Sequence, residues 1–394
     1  MKIVIIGAGI VGASLAYHLS GKGADVEVIE AVRPGYGTST STFAYLNAVR
    51  FSGRYAMLRL RALRYWHELA GRLGARDIVH GDGSIFYTNN EADAAQLEKH
   101  LAASSEAGLR YERWTAKRLM TDLEPDLIFP ETDYPIVRMP EEGRLEPAPM
   151  IGLLLRAAQD LGVKVSSGER VLNIEHTPTT VRVLTSGRIL DADQALVCNG
   201  PDSKALLDQI GVSLPINTQP GVTLVTRPLP VRLRHVVYAG QVHFKPEGGG
   251  RILAGRTDYR KEIPSAAEAQ SYAQETALLV KPWIRNFGEN EVETVRVGVR
   301  PIPGDGLPIV GRIPQMPNLS IAVMHSGISL SGLVGKLLAG EIIDGNDNPD
   351  LADYRPQRFL DGAVQLRDEF APWGPGDQVR ASPPKNDATA TGHV

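Results

Sequence analysis

The run Gly7-Ala8-Gly9-Ile10-Val11-Gly12 constrains this chain more than any other feature, because it sits between two segments of different periodicity. Before it, Lys2 to Ile6 is a β-branched apolar run that reads as a buried strand. After it, Ala13 to Leu19 has helical spacing, and Asp25 to Ile29 reads as a second strand ending at Glu30. Glu30 follows Gly12 by eighteen residues, which completes the strand–turn–helix–strand signature of a dinucleotide-binding unit. Gly7 is expected to make the tight turn, and Gly9 to let the backbone approach a pyrophosphate beside Ile10 and Val11. Gly12 is expected to allow close helix–strand packing. Glu30, followed by Ala31, is expected to accept hydrogen bonds from ribose hydroxyls. The helix N-terminus adds N–H donors and positive potential for the phosphates.

Composition narrows the partners. The 394 residues suffice for one large or two ordinary domains. With 42 basic and 45 acidic residues, the net charge of −3 argues against a nucleic-acid partner, which would require a basic excess. The single cysteine, Cys198, can form no internal disulfide and no cysteine-based zinc cage, so no metal is expected and a cytoplasmic setting fits. No transmembrane segment is expected, since no run approaches the roughly 20 apolar residues a span requires. Ile3 to Ile6 is too short for the core of a signal peptide.

Further helices are expected at Tyr55–Leu73, Glu91–Gly108, Thr115–Leu123, Pro147–Leu161, Ala266–Leu279 and Ile328–Ile343. Strand-like alternation is expected at Gly83–Thr88, between Val163 and Val197, from Val222 to Gly255, at Val292–Arg300 and at Asn318–Val323. The composition of residues 374–394 points to a disordered tail.

The dinucleotide signature serves FAD and NAD alike. Arg33 to Thr42 is a small-residue, hydroxyl-rich loop in which Ser39, Ser41 and Thr42 can reach a pyrophosphate or an isoalloxazine ring. At the far end, Ser326-Gly327-Ile328-Ser329 follows a buried strand and opens a helix. A second helix N-terminus suits a reduced flavin, which carries negative charge at its pyrimidine edge. This favours FAD.

From Met1 to about Phe359 the chain resembles the D-amino-acid oxidase, glycine oxidase and sarcosine oxidase superfamily. The likeness rests on the N-terminal fingerprint, on Glu142-Gly143-Arg144-Leu145-Glu146-Pro147, and on the segment Val171 to Gly200. It continues through Gly298 to Gly311, Asn318 to Gly327 and Tyr354 to Phe359. It implies a discontinuous fold of the glutathione-reductase-like FAD superfamily: an α/β Rossmann-type FAD domain (1–82, 143–216, 296–360) and an α+β substrate domain with an antiparallel sheet (83–142, 217–295). It places Val171 at the adenine, Asn199 and Gly200 near the cofactor, and Gly327, Ile328 and Ser329 at the flavin pyrimidine edge.

The resemblance also implies oxidation of a C–N bond of an amine or amino acid. Hydride passes to flavin N5, giving an imine and, with oxygen, hydrogen peroxide. By position Arg300 binds the substrate carboxylate, a task that suits its planar fork. Its alternative is a structural ion pair, the role expected of Arg296. His325 is a hydrogen-bond donor, a proton shuttle or a structural histidine. Asn47, Arg50 and Arg54 are candidates for substrate contact. Of His243 and Lys245, one is expected to face the flavin, with Lys245 a candidate for oxygen activation. The cysteine or histidine that carries covalent flavin in some members is absent, so non-covalent FAD is expected. A second arginine near Gly327 and a lysine at Ser329 are also missing, which leaves Arg300 as the carboxylate group or admits a larger amine. A dehydrogenase passing electrons to a quinone or carrier, a 2-hydroxy-acid oxidising flavoenzyme and a non-catalytic flavin-binding protein are the other readings.

Overall fold

The N-terminal apolar run becomes the strand Lys2–Ile6, in which Ile3, Val4, Ile5 and Ile6 are all buried. Both faces are covered because the strand lies inside a parallel sheet, which explains its continuous rather than alternating hydrophobicity. The computed structural model describes residues 1–360, 362, 364 and 366, apart from residues 178, 258–261 and 289. The segment 374–394, expected to be disordered, lies outside the described residues.

The first sheet has the strand order Ile309–Ile313, Met316–Val323, Gln194–Val197, Lys2–Ile6, Asp25–Glu30, Lys164–Ser167. Its last five strands are mutually parallel, and Ile309–Ile313 joins antiparallel as a hairpin at one edge. One core contains the helices Ile10–Ser20, Pro147–Gln159 and Gly327–Asp344. A second core covers the meander Val171–His176, Val181–Thr185, Ile189–Ala192. The two helices that open at the glycine motifs cross closely: a methyl group at Gly335 would lie 2.3 Å from Ser14 Oγ, which donates to the Ser331 carbonyl at 2.8 Å.

The second sheet has eight strands, in the order Val292–Pro303, Ile216–Thr226, Arg251–Arg256, Val242–Glu247, Val236–Ala239, Ser84–Tyr87, Ile136–Met139, Glu112–Trp114. It is antiparallel except where Val236–Ala239 pairs parallel with Ser84–Tyr87, two strands contributed by separate passes of the chain. Helix Ala266–Val280 packs on it. Val292–Pro303 pairs with Ile216–Thr226 along most of its length, from Val292↔Thr226 to Pro303↔Ile216. The domain boundary expected at 296 therefore falls inside a single strand. A small sheet of Tyr45–Leu46, Gly143–Leu145 and Val79–His80 ties the two regions together. Its strands of two and three residues are too short to show periodicity in sequence. No helix among the described residues is long and apolar enough to cross a membrane.

Candidate active site

The glycine motif opens one wall of a cavity of about 930 Å³, near the upper end of the range for small-molecule sites. Gly7 has φ +102°, and a methyl group there would lie 2.8 Å from the Cys198 carbonyl oxygen. A methyl group at Gly12 would lie 1.9 Å from the Gly7 carbonyl oxygen, so this position tolerates no side chain. Gly12 is buried in the first helix and does not line the cavity, whereas Gly7, Gly9, Ile10 and Val11 do. Glu30 and Ala31 line the same space, and the Glu30 carboxylate already accepts the Ala8 and Val32 N–H groups, each at 2.9 Å. Those two bonds leave acceptor capacity, since an ionised carboxylate offers about four lone-pair sites.

The hydroxyl-rich loop also lines this cavity, with Ser39, Ser41 and Thr42. Ser39 Oγ accepts the Ile10 N–H at 3.1 Å, which ties the loop to the start of the helix. Val171, Asn199 and Gly200 line the cavity from the meander and the Cys198 strand end. Gly327 and Ile328 line it at the start of the 18-residue helix Gly327–Asp344, whose N-cap Ser326 makes no side-chain capping bond. A methyl group at Gly327 would meet nothing closer than Val11 Cγ2 at 3.6 Å, so packing within the protein does not require glycine there. The glycine cradle, the helix start and this spare space fit a dinucleotide cofactor.

A second cavity of about 300 Å³ adjoins the first, and residues lining both include Thr38, Ser41, Gly298, Arg300, His325 and Ile328. Arg300 lies opposite Gln219 in the strand pair, and its guanidinium donates to the Gln219 and Pro220 carbonyls at 3.3 and 3.0 Å. His325 reaches the junction from the end of the strand Met316–Val323. Asn47 lines the smaller cavity, and Arg59 holds it by donating to its carbonyl at 2.9 Å and to its side-chain oxygen. Ser329 lies here too, but its hydroxyl donates to the Tyr45 carbonyl at 2.8 Å and it does not line the larger cavity.

Two expectations need correction. Lys245 and His243 are two residues apart on one strand, so period-two alternation points both to the same face. Phe43 accordingly lies against both residues, with ring contact to His243 at 4.4 Å and the Lys245 ammonium 5.9 Å from its centroid. Of the pair only His243 lines a cavity. Lys245 is 2% exposed and is bound to Glu247 at 2.9 Å, which also takes Arg296 at 2.9 Å. Burial pulls the Lys245 ammonium below its ordinary range. Arg54 is an exposed residue paired with Asp353 at 3.0 Å and lines neither cavity.

Sequence reasoning did not identify the residue that braces the smaller cavity. Glu142 is fully buried and accepts the N–H groups of Ala48 and Val49 at 2.7 and 2.8 Å. Its other oxygen accepts the Ser84 hydroxyl at 2.5 Å and the Tyr45 hydroxyl. Burial and this carboxylate push the Tyr45 phenol well above its ordinary range. Tyr238 and Phe86 stack at 4.9 Å, with the Arg50 guanidinium against both rings. These aromatic positions give no sequence signal beyond ordinary strand hydrophobicity. Burial, reinforced by Arg50 and Arg300, depresses His243 to about 3, so its imidazole is neutral at physiological pH.

A sequence profile described as FAD dependent oxidoreductase matches residues 2–341. The chain is 26% identical over 349 residues to a glycine oxidase of Bacillus licheniformis, covering 86% of this chain and 92% of that one. It is 28% identical over 388 residues to the uncharacterized oxidoreductase YurR of Bacillus subtilis (strain 168), covering 91% and 99%. The crystal structure of glycine oxidase from Geobacillus kaustophilus superposes with a TM-score of 0.80 at 24% identity, covering 91% of this chain and 99% of that one.

Proposed function

Because the chain belongs to the FAD-dependent oxidoreductase family, we propose that it oxidises the C–N bond of an amine or amino acid whose carboxylate pairs with Arg300. The observation that carries this reading is that Arg300 lines both cavities. A carboxylate on its fork leaves the adjacent carbon at the boundary between them, where a cofactor ring and a substrate meet. Gly7, Gly9, Ile10 and Val11 would hold the FAD pyrophosphate, Glu30 and Ala31 the ribose, and Val171 the adenine. Ser39, Ser41, Thr42, Asn199 and Gly200 would line its path, and Gly327 and Ile328 would present the helix N-terminus to the pyrimidine edge. Bound FAD supplies a two-electron acceptor for the hydride leaving that carbon.

The protein's own groups orient the substrate and set its charge. The guanidinium groups of Arg50 and Arg300 disfavour a protonated amine beside them, and the neutral His243 imidazole adds no opposing charge. The substrate amine is thereby held in the form that can release hydride. Cys198 is buried and its thiol is pushed far up by burial, which supports non-covalent attachment. The glycine oxidases among the relatives support an amino-acid substrate. Oxygen as acceptor, with peroxide as product, is part of the proposal.

Anaerobic mixing of the holoenzyme with amines, amino acids and 2-hydroxy acids tests it, with flavin bleaching as the readout. Bleaching by carboxylated amines is expected. Arg300→Ala should raise their KM by about a hundredfold, the loss of a charge-assisted bidentate pair. Bleaching by hydroxy acids alone, or unaltered kinetics in Arg300→Ala, would overturn it.

A further inference from the structure

We propose that the smaller cavity takes amines bearing two carboxylates, with Arg50 as receptor for the second. The proposal rests on the reading that Arg300 holds the first. Four arginines line this cavity (Arg50, Arg59, Arg256 and Arg300) against one carboxylate, Asp305. Asp305 does not offset them, because Arg358 takes its two oxygens at 2.8 and 3.0 Å. Arg256 is paired with Glu275 at 3.1 Å, and Arg59 is anchored on Asn47 and Tyr55.

Arg50 is different. Its guanidinium carbon lies 4.4 Å from the Tyr238 ring centroid and 5.2 Å from that of Phe86. Its Nε is buried without a hydrogen-bond partner, and no hydrogen bond or ion pair of Arg50 occurs among the described residues. Contact with ring faces stabilises a guanidinium but leaves its in-plane N–H donors unsatisfied. A half-buried cation of this kind lacks an acceptor at its buried Nε, and a ligand carboxylate supplies two in the right plane.

The backbone aims this side chain rather than leaving it to sample. Arg50 has φ +81°, one of three described non-glycine residues at positive φ, a conformation that persists only when its surroundings enforce it. The enforcement comes from Glu142, which clamps the N–H groups of Ala48 and Val49 just before it. His243, which lines the same cavity and stacks on Tyr238 at 5.2 Å, is neutral. The cavity therefore offers two cationic receptors and no opposing carboxylate. The matching chemistry is an amino acid with a second carboxylate, carried either on the side chain or on the nitrogen substituent.

Calorimetric titration of the FAD-loaded enzyme tests the anion preference separately from turnover. The probes are acetate and propionate against malonate, succinate and glutarate. At least one dicarboxylate is expected to bind about tenfold or more tightly than either monocarboxylate, and Arg50→Gln should reduce that ratio by about tenfold, with Arg50→Lys intermediate. Flavin reduction by alanine, aspartate, glutamate and N-(carboxymethyl)glycine then shows where the second carboxylate is carried. Equal binding of mono- and dicarboxylates, or an unchanged ratio in both Arg50 variants with flavin content retained, would overturn the proposal. If dicarboxylates bind preferentially but no amine reduces the flavin, the amine-oxidising reading fails while the two-receptor pocket stands.

Discussion

Replacing Glu142 by glutamine tests the brace beneath the pocket. The carboxylate is fully buried and accepts four hydrogen bonds, two from backbone N–H groups and two from hydroxyls. Glutamine keeps the shape but offers one acceptor oxygen and one NH2 group. The oxygen must face Ala48 and Val49, whose N–H groups can only donate. The NH2 must face Tyr45 and Ser84, whose hydroxyls can turn and accept. The hydroxyl contacts therefore survive with reversed polarity, but all four bonds lose their charge assistance. Hydrogen bonds to charged groups contribute about 1.5–3 kcal/mol and neutral ones about 0.5–1.5, so the expected loss is up to about 5 kcal/mol, reduced by the smaller desolvation cost of a neutral amide. Urea denaturation of the holoenzyme reads it as a lower midpoint at unchanged m. Alanine would instead orphan both N–H groups at about 1–3 kcal/mol each and open a cavity besides. Dicarboxylate affinity should fall with the glutamine change, because the clamp on Ala48 and Val49 that supports the positive φ of Arg50 is weakened. A stability within about 0.5 kcal/mol of the parent, the range typical of incidental surface changes, would refute the brace.

Three other outcomes are expected. Gly12→Ala should fail to retain flavin after gel filtration, since its methyl group would fall 1.9 Å from a backbone oxygen that cannot move without opening the turn; retained flavin would contradict the packing role. Gly327→Ala should leave apoprotein melting unchanged, since its nearest contact is an ordinary 3.6 Å, yet weaken FAD binding about tenfold by crowding the ring edge. Equal FAD affinity would move the flavin elsewhere. Stability should fall as pH drops below 6.5, because burial lowers His18 and His100 to about 4 and His243 to about 3 from the usual 6.5. In that window the unfolded chain binds protons that the native state refuses, so unfolding free energy rises with pH by at most about 1.4 kcal/mol per unit for each histidine. Thermal melts from pH 7 to 4.5 would show it, and His100→Gln should flatten the slope; a parent curve already flat to pH 5 would refute it.

The nucleotide-binding half was legible in the chain because its chemistry is local. Gly7, Gly12 and Glu30 act through turn geometry and strand–helix spacing within one continuous unit, so residue type and interval carry the information. The helix start at Gly327 was legible for the same reason. The substrate side was not, because there the aim of each side chain depends on distant partners. Arg50 and Arg54 look alike in sequence, yet one lines the pocket and the other pairs with Asp353 at the surface. The difference comes from Glu142, which lies 94 residues beyond Ala48 and sets the backbone path that ends in the strained φ of Arg50. Lys245 likewise shares a strand face with His243, and its partner Glu247 keeps it out of both cavities. The sequence by itself determined a dinucleotide cradle and a second helix start suited to a flavin, since short-range backbone geometry depends on neighbouring residues. Which charges face the substrate was decided only by the tertiary structure, because burial and pairing join residues that the chain keeps far apart.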